Sequence, residues 1–535
     1  MTPAPGLRID ADVAVVGSGF AGSLAALALM RQGKRVVLVE RGRHPRFAIG
    51  ESSTPLANLL IEELADRYDL PRIRPFSKWG TWQRARPDVA CGLKRGFTFL
   101  FHDRGADFED DADHRRQLMV AASPHDEIAD THWYRPEFDR ALAEEAQAEG
   151  AVYLDLTALD RFQDEGDRTI LEGQREGRSV RIDAQFVIDA SGPRGFLHRA
   201  LALEEAPCRW LPPTQGLYSH FEGVEQWDRL RPTTEAPPYP VDAAAVHHVF
   251  PGGWIWVLRF NNGITSAGAA LTDPVAAGIG AAEGAAGWNR LLAALPSVAD
   301  QFRPAKAVIP FVHAPRLAFR SARVSGSGWA LLPSAAGVID PLLSTGFPLT
   351  LLGVLRLVDL LGRTSPGRER DDALRHYERT TLAELDTTER LVAALYATMG
   401  DAALFKRLGL LYFAAASFSE AVRRLGRPEL APGFLLSAHP VFGPDLEACA
   451  LLAIAAPRGA ARRALEVRID RAIEPFDTAG LLDRGRRDWY PVLASDLQAS
   501  AAKLHATPGE ILLLLERSGM LPATTPGSIN DSHRS

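Results

Sequence analysis

Residues 13–40, VAVVGSGFAGSLAALALMRQGKRVVLVE, decide the fold. The apolar run 13–16 ends in the glycine-rich turn Gly17-Ser18-Gly19-Phe20-Ala21-Gly22, which has the pattern G-x-G-x-x-G. Residues 23–32 have helical composition, and residues 35–40 form a second β-rich run. This order predicts a βαβ unit with a glycine-rich turn at the start of its helix.

The glycine spacing favours a dinucleotide site. Gly17 permits the tight turn, Gly19 lets backbone N–H groups approach a pyrophosphate, and Gly22 lets the helix pack closely on the strand. An acid at the end of the second strand suits an unphosphorylated ribose. A lone G-x-G-x-x-G is often only a turn, but strand, helix, second strand and acid are all in register here. The predicted contacts are Gly17, Gly19, Phe20, Ala21, Gly22, Glu40 and Arg41.

Composition and charge exclude several classes of function. The chain has 535 residues and a formal net charge of −6, so it lacks the basic excess that nucleic acid or an anionic membrane surface requires. Its three cysteines are far apart, which excludes a zinc ribbon or disulfide scaffold and favours the cytoplasm. The apolar stretch 338–361 is interrupted by charged residues, which predicts a buried helix rather than a membrane span. We expect no metal, no nucleic acid and no membrane as partners.

The expected fold class is α/β, with a three-layer Rossmann-like core for a dinucleotide. We predict that this core, within residues 1–365, is discontinuous (about 1–60, 115–200 and 325–365). A β-rich substrate layer would occupy about 61–114 and 201–324. Residues 366–535 form a helical region, with helical patterns at 371–399, 402–425, 446–473 and 488–521. The last residues, TTPGSINDSHRS (524–535), are polar and predicted to be disordered.

Further motifs resemble those of flavin-dependent halogenases. The sequence G-E-S-S-T-P at 50–55 resembles their G-E-S/A-x-x-P segment, and K-R-G-F-T-F at 94–99 resembles the segment around their catalytic lysine. W-I-W at 254–256 is similar to the start of their W-x-W-x-I-P motif, and V-I-D-P-L-L-S-T-G at 338–346 to their F-x-x-P-x-x-S-x-G segment. D-A-S-G at 189–192 resembles a turn of the wider group of FAD-dependent monooxygenases, which includes aromatic hydroxylases of the same core fold.

The resemblance implies a halogenase, most simply a chlorinase of an electron-rich aromatic molecule in specialised metabolism. Reduced FAD and O2 would give a flavin hydroperoxide, chloride or bromide would be oxidised to hypohalous acid, and Lys94 would hold that acid. A second glycine cluster at 278–284 has no preceding strand and is interpreted as helix packing. One nucleotide site then implies that a separate flavin reductase supplies FADH2.

The resemblance also assigns residues, each with an ordinary alternative. Lys94 could be a solvated lysine beside Arg95, the two tryptophans could be sheet packing, and Ser344 with Thr345 could cap a helix. His247-His248 and Asp130-Thr131-His132 are interpreted as structural or substrate-lining. The implied catalytic residues are Lys94, Ser344, Trp254 and Trp256. The implied halide ligands are Thr345 and Gly346. The implied flavin contacts are Glu51, Ser52, Ser53, Asp189, Ser334, Pro341 and Gly346.

Departures from the family pattern narrow the substrate. Leu343 stands where tryptophan halogenases carry a glutamate, which favours an activated arene such as a phenol or pyrrole. Ser334 replaces the usual aspartate of G-D-A-x-G, and residues 74–90 look like an insertion before Lys94. Two alternatives stay open: a related FAD-dependent monooxygenase or oxidoreductase that uses no halide, and a flavin-binding partner of a carrier protein, which would deliver a tethered substrate to the helical region.

Overall fold

The computed structural model describes residues 6–166 and 168–521, so the tail predicted to be disordered lies outside the described residues. The strands are β1 (Leu7–Val16), β2 (Val36–Val39), β3 (Cys91–Lys94), β4 (Gly96–Phe101), β5 (Gln117–Ala121), β6 (Asp130–Trp133), β7 (Val152–Leu154), β8 (Thr157–Asp164), β9 (Thr169–Arg175), β10 (Arg178–Asp189), β11 (Thr214–Glu222), β12 (Ala245–Phe250), β13 (Gly253–Arg259), β14 (Thr265–Thr272), β15 (Lys306–Ala307), β16 (Val312–Ala314), β17 (Phe319–Arg320), β18 (Ser325–Gly326), β19 (Trp329–Leu331), β20 (Gly337–Val338) and β21 (Trp489–Tyr490). The α-helices are α1 (Phe20–Arg31), α2 (Pro55–Arg67), α3 (Trp79–Ala85), α4 (Arg135–Ala148), α5 (Phe196–Ala200), α6 (Trp227–Leu230), α7 (Asp273–Ile279), α8 (Ala285–Ala293), α9 (Pro296–Phe302), α10 (Pro333–Ala336), α11 (Gly346–Arg363), α12 (Arg368–Thr398), α13 (Ala402–Arg424), α14 (Phe442–Ile454), α15 (Gly459–Ile473), α16 (Ala494–Ala499) and α17 (Pro508–Ser518).

The first sheet is built around the βαβ unit that the opening motif predicts. Its strands run in the order β18-β19-β10-β1-β2-β7, and β19, β10, β1, β2 and β7 are parallel. Their apolar residues are buried on both faces, as parallel strands covered by other layers require. Helices α1 and α4 pack on this sheet, and α11 packs on α1. The antiparallel hairpin β8–β9 extends from β10.

The second sheet is largely antiparallel and carries the central strands β14-β13-β12-β4-β5. Because side chains alternate along a strand, its two faces bury different clusters. Phe97, Phe99, Trp254 and Trp256 face the main core shared with the first sheet, whereas Ile255 and its neighbours face a separate apolar cluster with α8 and α9. This sheet therefore forms a wall of the space between the two layers.

The helical C-terminal region packs against both sheets. Helices α12 and α13 match the predicted patterns closely, and the pattern at 446–473, which contains Pro457 and is therefore expected to form more than one helix, forms α14 and α15. Thus the expected α/β class, the β-rich second layer and the helical C-terminal region are confirmed. The division into sequence segments stays a prediction; β5, which we had grouped with the dinucleotide core, pairs in the second sheet.

One helical segment of the described chain, Leu342–Arg363, is long and apolar enough to cross a membrane, but 72% of its apolar window is buried in the protein. It contains α11, which packs against α1, α2 and α12. This segment is the buried helix predicted at 338–361.

The glycine cluster at 278–284 requires one correction. A strand, β14, does precede it, contrary to our expectation. That strand is antiparallel to both of its neighbours, and the glycines lie at the end of α7 and in the following turn. The cluster therefore does not open a second βαβ unit.

Candidate active site

The glycine-rich turn is shaped by close backbone contacts. Gly17 has φ +103°, a conformation that side chains rarely adopt, and a Cβ there would lie 2.6 Å from the Ala190 carbonyl oxygen. A Cβ at Gly22 would lie 1.9 Å from the carbonyl oxygen of Gly17. Only glycine fits at these two positions, so the turn can hold its shape beside a ligand.

The start of α1 is free to bind an anion. Gly19 is its N-cap and supplies no side-chain hydrogen bond, so the first N–H groups of the helix have no partner within it. A Cβ at Gly19 would meet the ends of three side chains, Arg135, Asp139 and Arg46, at 3.5, 3.6 and 3.7 Å. The helix dipole and the free N–H groups favour a pyrophosphate here, and two guanidinium groups, each paired with a carboxylate, lie beside it.

Glu40 ends β2 beside this turn and is buried. Its carboxylate accepts hydrogen bonds from the Ser18 N–H (3.1 Å) and the Gly42 N–H (2.9 Å) and pairs with Arg46 (3.1 Å). Burial alone would raise its pKa, but Arg46 and these N–H groups lower it, so Glu40 stays ionised. Arg41 lies exposed in the loop that follows.

An aromatic cluster joins three of the predicted motifs. Phe20 at the start of α1, Trp133 at the end of β6 and Phe347 in the first turn of α11 have ring centroids 4.2–5.4 Å apart. Arg135 lies over Phe20, forms a bidentate pair with Asp139 and donates to the Gly50 carbonyl at 2.8 Å. These contacts bring the glycine-rich turn, the G-E-S-S-T-P segment and the loop before α11 to one place.

Two of the predicted flavin contacts, Asp189 and Ser334, lie near each other at the end of β10. Asp189 is fully buried, and its carboxylate accepts from the Ser191 N–H (2.8 Å) and the Leu197 N–H (2.6 Å), so it shapes the D-A-S-G turn from within. Burial raises the pKa of Asp189. Ser334 lies half-buried in the short helix α10, whose N-cap residue Leu332 bonds to the backbone at Asp189. Both therefore lie at the carboxyl edge of the parallel sheet, where ligands of such sheets bind.

The loop before α11 is strained. Leu343 has φ 65° and Ser344 has φ 54°, so two consecutive residues with side chains occupy the left-handed region. Thr345, the N-cap of α11, makes no side-chain cap hydrogen bond, and Gly346 is exposed with open space around it. The capping interpretation is therefore not supported, and the free N–H groups at the start of α11 can hold an anion.

Asp340 and Tyr396 stabilise this loop by hydrogen bonds on its buried side. The Tyr396 hydroxyl on α12 donates to Asp340 at 2.9 Å, and the other carboxylate oxygen accepts from the Leu342 N–H at 3.0 Å. The Trp254 indole also faces Asp340 without reaching hydrogen-bond geometry. Burial raises the pKa of Asp340 to about 6 against these donors.

Lys94 lies at the end of β3 and is fully buried, which excludes the interpretation as a solvated lysine. Its Nζ donates to Ser52 Oγ at 2.9 Å and to the Ser53 carbonyl at 2.5 Å, and it lies 3.7 Å from the centre of the Phe97 ring. Burial lowers the pKa of Lys94, and the nearby Asp130 carboxylate opposes that shift. The site thus favours an amine that exchanges its proton readily near neutral pH.

The G-E-S-S-T-P segment reaches from α11 to Lys94. At one end a Cβ on Gly50 would lie 3.8 Å from Phe347, and at the other Ser52 and Ser53 bond Lys94. Between them Glu51 is buried and pairs with His220 of β11 at 2.8 Å, while its second oxygen has no partner.

A cavity of about 170 Å³ is lined by Phe97, Asp130 and Pro55, the last residue of this segment. Helix α13 and the segment 478–520 of the C-terminal region form most of its wall. Lys94 is not itself exposed to the cavity. Its lining is mainly apolar, with a small number of polar groups, as in most sites for small organic molecules.

The two tryptophans lie on one face of β13. Trp254 packs against His247 and Trp256, with ring centroids 5.2 and 5.7 Å away, and Trp256 donates to Ser266 Oγ at 3.3 Å. This face points into the main core between the two sheets. Packing is certain for both residues; a role in separating flavin from substrate stays a prediction.

Sequence reasoning missed Arg46, Arg135 and Tyr396. Arg46 follows Glu40 by six residues, a short-range signal that we did not use; Arg135 and Tyr396 become relevant only through the folded chain. Asp130 was interpreted as structural or substrate-lining, and it does line the cavity. His248 instead bonds His102 at 3.0 Å and faces the separate apolar cluster around Trp227. Within the described residues no group of three or more His, Cys, Asp or Glu side chains is arranged to hold a metal.

The residues present fit FAD. Close backbone contacts at Gly17 and Gly22 fix the glycine-rich turn, the uncapped start of α1 beside Arg46 and Arg135 suits the pyrophosphate of FAD, and ionised Glu40 suits its ribose. The rest of FAD, beyond the pyrophosphate, would then extend along the carboxyl edge of the sheet, where Ser334 and the strained loop at Pro341–Gly346 lie.

Comparison with known proteins identifies the family. The family model of FAD-dependent oxidoreductases matches residues 12–339. The monodechloroaminopyrrolnitrin halogenase PrnC of Pseudomonas fluorescens is 31% identical over 401 residues, which cover 73% of this chain and 68% of that protein. The tetracycline 7-halogenase of Kitasatospora aureofaciens is 30% identical over 349 residues, covering 63% of this chain and 60% of that protein.

Solved structures show the same fold. The structure of halogenase PltM in complex with phloroglucinol and FAD superposes with a TM-score of 0.80 at 23% identity, covering 89% of this chain and 99% of that one. The myxobacterial chondrochloren halogenase CndH superposes with a TM-score of 0.58 at 22% identity, covering 73% of this chain and 83% of that one. The chain therefore belongs to the FAD-dependent oxidoreductases and, within them, to the flavin-dependent halogenase family.

Proposed function

We propose that this protein is a chlorinase of an electron-rich aromatic small molecule, such as a phenol or pyrrole, in specialised metabolism. The observation that carries the proposal is Lys94, a buried amine held between the segment that reaches the flavin site and the wall of an apolar cavity. Burial of a lysine without a direct carboxylate partner costs free energy. Ionisable groups buried at such a cost are concentrated at functional sites.

Family members require FADH2, O2 and a halide, and the bound cofactor supplies the oxidising power that converts halide to hypohalous acid. Lys94 then receives that acid. As a neutral amine it forms a chloramine, with the N–Cl bond replacing an N–H bond and water leaving. As an ammonium it donates a hydrogen bond to hypochlorous acid instead. In the first case chlorine is bonded to Nζ, and its transfer to a ring carbon, with the proton lost from that carbon passing to Nζ, returns the free amine. In the second case chlorine stays on the oxygen of the hydrogen-bonded acid, and its transfer in exchange for the ring proton releases water.

The loop before α11 is the proposed halide site. The Ser344 N–H donates to the Pro341 carbonyl within the loop, so the N–H groups of Thr345 and Gly346, where the turn continues into the helix, are the proposed donors to the halide. Asp340 and Tyr396 keep this conformation in place from the core side. Ser344 supplies the hydroxyl nearest to the proposed halide.

Trp254 and Trp256 are proposed to keep the organic substrate away from the flavin. They lie in the main core on the face of β13 that is turned toward the first sheet. Glu51, Ser52 and Ser53 are proposed to border the path from flavin to Lys94, since they connect the two sites in the structure.

Two partners belong to this proposal. One is a separate flavin reductase, because the described chain has one βαβ nucleotide fingerprint. The other is the substrate, which is free or bound to a carrier protein; one relative, 27% identical, is a 1H-pyrrole-2-carbonyl-[peptidyl-carrier protein] chlorinase of Pseudomonas fluorescens. We place the protein in the cytoplasm, consistent with three free cysteines.

The test is an assay with purified protein, FAD, a flavin reductase, NADH, chloride or bromide, and a panel of phenols, pyrroles and indoles. Mass spectrometry detects halogen isotope patterns in the products. We expect monochlorinated phenols or pyrroles. Hydroxylated products that form equally well without halide would contradict the proposal and favour a monooxygenase.

A further inference from the structure

Asp130 presents a buried acceptor that the chain leaves unsatisfied. Its side chain is 5% exposed, Oδ1 accepts from Asn58 Nδ2 at 2.9 Å, and Oδ2 has no hydrogen-bond partner. A buried carboxylate oxygen without a donor costs free energy, so a native structure keeps one where a ligand or water completes it.

Asp130 belongs to the wall of the 170 Å³ cavity, and Oδ2 lies enclosed behind that wall. Asp130 and Asn58 both line it, together with the ring of Phe97, which covers Lys94. Asp130 is also the direct cross-strand partner of Lys94 in the β3–β6 ladder. A molecule that bonds to Asp130 is therefore held next to the residue proposed to carry the halogen.

The other charged groups at the cavity have partners. Arg424 bonds Glu420 at 2.8 Å and lies 3.4 Å from Glu62. Lys78 lies 3.5 Å from Glu62. Tyr412 lines the cavity as well, and burial and the charge of Asp130 raise the pKa of its hydroxyl, so it stays protonated. Asp130 Oδ2 and Asn58 Oδ1 are thus the two acceptors of these lining residues that the surrounding side chains do not satisfy, and Asp130 is the one of the two that can carry a charge.

Resting on the proposed function, we propose that Asp130 recognises the substrate by accepting a hydrogen bond from the N–H or O–H group attached to its aromatic ring. The substrate class is then narrower than electron-rich arenes: the ring carries a free phenol, pyrrole, indole or aniline donor. Ethers and N-alkylated rings of similar reactivity lack the donor and leave the carboxylate unpaired. Asp130 is a specificity-determining residue in this assignment.

The geometry also orients the ring. The donor group is held at Asp130, and Lys94 follows on the neighbouring strand at the same register position. Phe97, on β4, lies with its ring 3.7 Å from Lys94 Nζ and also lines the cavity. The ring carbon that reacts is the one turned from Asp130 toward Lys94.

The test compares two isosteric ligands, indole, which has an N–H donor, and benzofuran, which has an oxygen in its place. For each, kcat/KM for chlorination is measured with reductase-supplied FADH2, and Kd is measured without turnover by quenching of protein fluorescence. The variants are Asp130→Asn and the control Asp126→Asn. Asp126 lies four residues earlier, is exposed and pairs with Arg95, so this control removes the same charge outside the cavity.

In Asp130→Asn the side-chain oxygen keeps its bond to Asn58, and an NH2 group replaces Oδ2. Because burial raises the pKa of Asp130 to about 7, both measurements are made at pH 8, where the carboxylate is mostly ionised. We expect the indole-to-benzofuran ratio, in kcat/KM and in binding affinity, to fall about 10- to 100-fold, the range of a hydrogen bond to a charged group. Asp126→Asn should keep the wild-type ratio. Taking the ratio cancels intrinsic ring reactivity and any general loss of activity.

An unchanged ratio in Asp130→Asn would overturn the assignment, as would a wild-type ratio near one in the binding measurement, which needs no variant. Failure of indole to bind the wild-type protein would also overturn it. A binding preference that is lost in Asp130→Asn, in a protein that chlorinates nothing, would support Asp130 and contradict the proposed function instead.

Discussion

At the scale of single residues, Asp340 and Tyr396 connect the loop before α11 to the helical region. Asp340 is fully enclosed, and its pKa of about 6 lies above the value of 3.8 expected in the unfolded chain. The folded protein therefore binds more protons than the unfolded one between about pH 4 and 6, and this group lowers stability as the pH rises through that window. The Tyr396 donor limits the loss once Asp340 is ionised.

Tyr396→Phe should destabilise the protein mainly where Asp340 is charged. We expect a loss of about 2 kcal/mol at pH 8, typical of a hydrogen bond to a charged group, and a smaller loss at pH 5. Thermal unfolding midpoints at the two pH values measure this. The control is Tyr377→Phe, since Tyr377 lies on the same helix but donates to the neutral Leu331 carbonyl at 2.8 Å. Equal losses at both pH values for Tyr396→Phe would contradict the account.

At the residue level, the sequence offers candidates where a motif carries the chemistry. Spacing and resemblance single out Gly17, Gly22, Glu40 and Lys94, and the structure shows close backbone contacts at the glycines and hydrogen bonds at Glu40 and Lys94, while their roles stay predictions. Arg135 could not be identified, because its partners at Gly50 and Phe20 lie far away along the chain and no local pattern reports on them.

At the scale of elements, α1 depends on one close approach to the turn before it. Gly22 lies in the first turn of α1, and its Cα faces the Gly17 carbonyl. An added methyl group must push the helix away from the strand, at a cost of about 1–3 kcal/mol, typical of overpacking. The start of α1 would then no longer face the pyrophosphate correctly.

Gly22→Ala should therefore weaken FAD binding by roughly 10- to 100-fold, which corresponds to that range of free energy. Equilibrium titration of the FAD-free protein, followed by flavin fluorescence, gives the Kd. Gly278→Ala is the matched control, because a Cβ at that helical position meets no atom within 4 Å. Equal FAD affinity in both variants would show that the contact at Gly22 does not matter.

The helices were more predictable than the loop at residues 339–346. Helices such as α12 and α13 are long and have strong patterns, so tertiary contacts only adjust their ends. The sequence of residues 338–346 resembles a family motif, but it does not reveal the backbone conformation of that segment. Positive φ at Leu343 and Ser344 is unfavourable locally and is held by Asp340 and Tyr396, so the sequence around the loop cannot show it.

At the scale of the whole molecule, two sheets and the C-terminal helices divide the work. The first sheet holds the nucleotide fingerprint, the second carries Trp254 and Trp256, and α13 with the last helices closes the cavity beside Lys94. Composition and motif spacing predicted the layers. The cavity could not be predicted, because its wall combines residues from 55 to 520. One sequence does not show which of these distant segments lie together in space.

This division predicts dependence on an external reductant. The purified protein with FAD and NADH should oxidise NADH no faster than free FAD does, because the described chain has a single βαβ fingerprint. FADH2 prepared by photoreduction should support chlorination without any reductase. Absorbance at 340 nm follows the first reaction, and mass spectrometry follows the second. Rapid NADH oxidation by the protein alone would mean that a second nucleotide site exists.

The central claim is that Lys94 passes the halogen to the substrate, and Lys94→Ala tests it most directly. One experiment measures three quantities for wild type and variant: bound FAD, oxidation of FADH2 by O2, and chlorinated product. We predict that the variant binds FAD and consumes FADH2 at rates within a few-fold of wild type, while chlorinated product falls at least about 100-fold, the range expected for losing a group that acts in the chemical step. Chlorination that persists in Lys94→Ala at a comparable rate would contradict the account.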